Sequence, residues 1–303
     1  MSIINFGLLF ILSLLWGGSF YFIEKALLYF SFEQIVFFRV FFAALTMLLF
    51  LIIKRVKFDF SIKLWLSFFI MGFINNVIPF LAFTYAQEGI TASSASIFNA
   101  TTPIFAALFA HLLTKDEKLT KVKSLGIMIG FIGIIILIFP EEGFSLDKYV
   151  IFALIAPISY AFGGIFGKLL KGINPLFSAF GMLSCSSLIT YGVFHESILE
   201  ANIQSYYQIN DLILLAIFST AIAYIIFFRL LALVGAVKVL LVTFLIPISA
   251  SLLGVFLLNE VFTINMYIGA SLVFIALFLI MKEKNDKDFG KEKCKLSKDK
   301  RSN

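Results

Sequence analysis

Ten apolar runs of about twenty residues, separated by charges, glycines, prolines and asparagines, occupy this chain almost to its end. Their approximate limits are 5–28, 34–53, 64–86, 91–113, 122–140, 149–168, 175–195, 210–231, 237–258 and 263–281. A helix needs roughly 20 mostly apolar residues to cross the hydrocarbon of a bilayer. The pattern therefore predicts an all-α integral membrane protein with ten transmembrane helices. Composition agrees: 61% of residues are hydrophobic, 14% are charged and 39 are Phe, more apolar surface than a soluble fold of 303 residues hides. The first run has no basic leader and no small-x-small cleavage site, so it is read as a retained span.

Charge sets the orientation. With both ends inside, the inner loops collect Lys54, Arg55, Lys57 and Lys63, then Lys115, Lys118, Lys121 and Lys123, then Lys168 and Lys171, and finally Arg229 and Lys238. The outer loops hold only Lys25 and Lys148 and are marked instead by acidic residues such as Glu33, Glu88, Glu196 and Glu260. Basic residues gather on the cytoplasmic side, which predicts cytoplasmic N- and C-termini in a multi-pass protein of the cell (inner) membrane. The net charge of +6 does not signal nucleic acid, because the tail 282–303 carries nine Lys/Arg against five Asp/Glu and supplies +4 of it. That tail reads as a basic, disordered cytoplasmic segment.

The chain also repeats itself. TTPIFAALFAHLLTKDEKLT, 101–120, runs from Pro103 through an apolar helix to Glu117 and Thr120; LIPISASLLGVFLLNEVFT, 245–263, runs from Pro247 to Glu260 and Thr263. The two copies close spans four and nine, five spans apart. Five is odd, so the second copy enters the membrane upside down. The expected organisation is an inverted repeat of five plus five helices: a first half over 1–140, a second over 141–281, and the tail. Two inverted halves rocking about a midplane site are a transporter architecture.

On LLWGGSF in span one, Arg39 of FFRVFFAAL in span two, Pro103 with Asp116-Glu117-Lys118-Leu119-Thr120, and Pro247 with Asn259-Glu260-Val261-Phe262-Thr263, the chain resembles the drug/metabolite transporter superfamily, specifically its EamA-type ten-span carriers. The resemblance covers the chain to about Met281. It implies secondary transport of amino acids, other metabolites or drugs, with no cofactor. The second half departs from the first in two places, with Tyr160 where span one has Trp16 and Arg229 where the first half has Tyr85.

A carrier needs polar groups turned away from lipid. Trp16 and Ser19 of span one, Asn75, Asn76 and Tyr85 of span three, Asn99 of span four, Tyr160 of span six and Tyr224 of span eight are the candidate substrate-binding residues. The carboxamides are the stronger ones, since they cannot satisfy both donor and acceptor on their own helix turn. The hydroxyls have a bland alternative in bonding their own backbone. Arg229 and Lys238 are candidates for a cytoplasmic vestibule, or plain membrane anchors. Pro103, Glu117, Thr120, Pro247, Glu260 and Thr263 form the structural motif, with capping as the expected role of the acids and threonines. Arg39 is expected to snorkel toward the outer surface.

Enzyme chemistry has no footing. The two histidines, His111 and His195, have no ligand-spaced partner, and there is no phosphate loop or nucleophile constellation. No metal and no cofactor are expected. The partners implied are a small-molecule substrate and the lipid bilayer, with the chain a monomer or a homodimer. The expected function is export of small neutral or zwitterionic metabolites by alternating access, from a midplane site between spans one, three, four, six, eight and nine; the alternative is a membrane scaffold without transport.

Overall fold

The computed structural model describes residues 3–113, 120–138, 147–170, 172–203, 206–234, 239, 242–276 and 278–279. Among these, six helices are long and apolar enough to cross a membrane: α1 (Ile3–Ala26), α2 (Phe32–Ile53), α3 (Ile62–Ala86), α4 (Ala92–Leu113), α7 (Pro175–Leu199) and α8 (Gln208–Leu230). Shorter or less fully described apolar helices lie between and after them: α5 (Lys121–Ile138), α6 (Lys148–Phe166), α9 (Val242–Leu258) and α10 (Ile264–Ala276). No strand occurs among the described residues.

Local chemistry places the helix starts. Ser31 caps α2 in a reciprocal box with Gln34, Thr91 caps α4 by accepting from Ser94 N–H, Asp147 caps α6, and Asn174 accepts from Leu176 and Phe177 N–H ahead of Pro175 in α7. Each oxygen satisfies a donor that the first helical turn leaves open. α4 is interrupted at Ala100 and Thr101, immediately before Pro103. Pro103 has no N–H to offer the carbonyl four residues back, Asn99 O, and the Thr102 hydroxyl donates to it instead at 2.7 Å, so the break follows from the proline.

The outward faces are greasy. Leu49, Val193, Phe256 and Phe278 are each at least 60% exposed, as suits side chains whose solvent is lipid. Inside, α2 packs on α7, α1 on α9 and α4 on α6; α3 lies against α6 and α7, and α8 against α1 and α2. Small residues let these pairs close. A Cβ on Gly17 would stand 2.8 Å from Ser249 Cβ and 2.9 Å from Ala250 N, and one on Gly72 would stand 2.6 Å from Met182 O. Without a hydrophobic effect between helices, this close backbone approach is what holds a membrane bundle together.

Two helices depart from the α register. Phe73–Val77 of α3 and Ile217–Ile222 of α8 are π-helical. In α3 the Ile78 N–H bonds Phe73 O, five residues back. The next donor in that register would be residue 79, which is proline and has none. The Ile74 carbonyl is thereby freed, and Ser159 Oγ of α6 donates to it at 2.6 Å.

Candidate functional site

The two π-turns meet a buried polar network. Asn76, fully buried, donates from Nδ2 to Ser186 Oγ of α7 at 3.1 Å and accepts at Oδ1 from the Tyr224 hydroxyl of α8 at 2.9 Å. Both ends of the carboxamide are used, each on another helix. Its neighbour Asn75 is packed so closely on Gly163 of α6 that any side chain there would collide with it. Widening a helix by one residue per turn re-aims its side chains, and here it turns two consecutive asparagines to different partners.

Arg39 belongs to the same region and does not snorkel. Only 6% exposed, it turns inward and lays its guanidinium 3.7 Å from the centre of the Phe80 ring, while Nε donates to Thr220 Oγ1 at 3.0 Å. The π-turn of α8 is the reason an acceptor is there: Thr220 bonds the Leu215 carbonyl five residues back at 3.0 Å and presents its remaining lone pair to α2. Tyr160 and Tyr224 lie within electrostatic range of the guanidinium. Tyr160 also sits between the two largest apolar clusters of the protein.

The other expected residues lie elsewhere. Trp16 is half-buried against Phe227 of α8, ring centres 5.4 Å apart, as part of an apolar cluster. Ser19 donates to Trp16 O at 2.6 Å, within its own helix, and the Thr102 hydroxyl donates likewise to Asn99 O at 2.7 Å. Asn99 is half-buried at the break in α4. Tyr85 is at the C-terminal end of α3 in an aromatic group with Phe32, Tyr149 and Phe152, with Lys148 Nζ 5.4 Å from its ring centre. Beside it, burial lifts the Glu88 carboxyl above its ordinary range and the Glu33 charge adds to this, with Lys148 opposing. Arg229 is exposed at the other end of α8. Glu117 and Lys238 lie outside the described residues.

The repeated motif has a definite structural use in its second copy. The Glu260 carboxylate accepts from Ser93 N–H at 3.2 and 3.4 Å, so it caps the start of α4, a helix 167 positions earlier. Thr263 Oγ1 accepts from Met266 N–H at 3.2 Å and caps α10. Pro247 is buried inside α9, and Pro103 opens the second segment of α4. Thr120 O accepts from Ser124 N–H at 2.9 Å at the start of α5.

The candidate substrate-binding residues read from the sequence did not include Arg39, Ser186 or Thr220. Ser186 was one hydroxyl in a Ser/Thr-rich run, and only a charge inside an apolar span marked Arg39. No group of His, Cys, Asp or Glu among the described residues is arranged to hold a metal.

Comparison with known proteins carries the same stamp. The EamA-like transporter family matches residues 4–139 and, a second time, 147–282. The chain is 25% identical over 248 residues to "Uncharacterized transporter YoaV" of Bacillus subtilis (strain 168), covering 80% of this chain and 84% of that protein. It is 24% identical over 217 residues to an "Uncharacterized transporter" of Archaeoglobus fulgidus, covering 71% and 77%. A solved crystal structure aligns over 92% of this chain and 96% of its own with a TM-score of 0.62 at 12% identity, a likeness of fold alone.

Proposed function

This chain belongs to the EamA-like transporter family, and from that premise we propose that it exports small neutral or zwitterionic metabolites, amino acids or related compounds, by alternating access. The observation that carries the reading is the buried network in which Asn76 joins α3 to α7 and α8. Polar groups are placed inside a membrane bundle at a cost, and they mark the path of whatever crosses it. Here they sit at irregular helix turns, the recurring construction of carrier sites.

In this reading the chain crosses the membrane ten times as two inverted halves. The same family matches twice in succession, the π-turns fall in the third and eighth helices, and the most extensive helix contacts pair up under exchange of α1–α5 with α6–α10. Thus α1 on α9 corresponds to α6 on α4, and α3 on α7 to α8 on α2. Both termini lie in the cytoplasm, as the lysine asymmetry favours, and the membrane is the inner one. The protein works as a monomer or homodimer on a small molecule, without cofactor.

The test is export from vesicles. The full chain, reconstituted into liposomes loaded with a small-molecule extract, is expected to release a restricted set of metabolites faster than protein-free liposomes do, as read by mass spectrometry of the outer medium. Equal release from both would refute transport.

A further inference from the structure

We propose that Arg39 is the docking point for a single carboxylate, so that the substrate is a monocarboxylate, zwitterionic amino acids included. The inference rests on the transporter reading and sharpens it to one recognition element. Arg39 stands two turns inside α2 and is 6% exposed. Its guanidinium stays charged at every working pH. A cation so placed is costly until something of opposite charge meets it.

The protein compensates only partly. The Phe80 ring covers one face of the guanidinium at 3.7 Å, and Thr220 Oγ1 takes Nε at 3.0 Å. Among the described residues no carboxylate pairs with Arg39, and neither Nη nitrogen has an acceptor. With Nε occupied, the end of the fork formed by the two Nη groups is the edge left open. That edge matches the two oxygens of one carboxylate.

Charge decides the ligand class. One buried cation, joined by no second Lys or Arg in the network, is neutralised by one negative charge. A phosphate dianion would leave an excess negative charge in the bundle, an amine would add a second positive one, and a carboxamide would leave the arginine uncompensated. An amino acid offers the same single carboxylate to the guanidinium, while its ammonium needs acceptors of its own, so a monocarboxylate without an amine fits the charge balance better.

The experiment reads thermal unfolding of the purified full chain against a panel of aliphatic and aromatic monocarboxylates and L-amino acids. Each is paired with its carboxamide and with a phosphate ester of similar size. At least one carboxylate is expected to raise Tm saturably where its carboxamide does not. Arg39→Gln should weaken that binding about 10-fold or more, since a hydrogen-bonded charge is lost, and Arg39→Lys should recover part of it. Should Arg39→Gln fail to fold, Thr220→Val, which removes the acceptor on Nε together with the hydroxyl's own bond to Leu215 O, should bind the carboxylate with altered affinity and still prefer it to its carboxamide. Carboxamides or phosphate esters that bind as well as carboxylates, a flat response across the panel, or unchanged affinity in Arg39→Gln would each overturn the assignment. Carboxylate binding without metabolite release in the vesicle experiment would count against transport instead, so the two proposals fail separately.

Discussion

Asn76 shows why an amide serves in the bundle where a serine would not. Its Nδ2 reaches Ser186 and its Oδ1 receives Tyr224, so one side chain ties three helices and leaves no polar atom of its own unpaired. Asn76→Ala orphans the hydrogen of Tyr224 and an acceptor site on Ser186, and a buried group left unpaired costs about 1–3 kcal/mol. The variant should show a lower Tm together with slower metabolite release per folded molecule, and Tyr224→Phe, which leaves buried Asn76 Oδ1 without its donor, should likewise lose about 1–3 kcal/mol. A Tm for Asn76→Ala equal to the parent's would mean that the network does not brace the helices. Asn75 and Asn76 were legible beforehand, because a carboxamide in an apolar run has few satisfied places to be. Arg39 was legible as an anomaly but misjudged in direction, since its inward turn depends on Phe80 and Thr220, residues 41 and 181 positions away.

The element that distinguishes this bundle is a helix with a π-turn. In α3 the turn coincides with Pro79, whose missing N–H leaves Ile74 O to Ser159. Pro79→Ala would supply that N–H, and the helix could then satisfy its own carbonyl. The expected outcome is a Tm at or above the parent's with slower release, because the substitution favours a regular helix over a turn shaped for α6. Faster release, or loss of Tm without change in release, would contradict a functional role for the turn. Glu260 illustrates the other way in which elements are joined. An acid that reads in sequence as a cap for the helix next to it instead caps α4 across the molecule, while Thr263 serves α10.

For the whole molecule the proposed inverted arrangement has a direct consequence for sidedness. Asn259, after α9, and Lys57, after α2, are both exposed, and the proposed ten-span topology would put them on opposite faces. In a background with Cys185 and Cys294 replaced by Ser, a cysteine at Asn259 should react with an impermeant maleimide on intact cells, and one at Lys57 only after permeabilisation. The reverse pattern would refute cytoplasmic termini, and labelling of both from one side would refute the inverted repeat.

The sequence by itself determined that this chain is a bundle of apolar helices, where those helices fall and that its two halves resemble each other. Those features follow from the thickness of hydrocarbon, the demand for internal backbone bonding, and motifs carried within single spans. Tertiary structure alone decided which face of each helix points inward. A span that is apolar almost all round carries no polar stripe to orient it, since lipid and core are equally apolar. Asn76 could be matched to Ser186 and Tyr224, and Arg39 to Phe80 and Thr220, only once close contacts at glycines such as Gly72 had fixed the rotation of every helix against its neighbours.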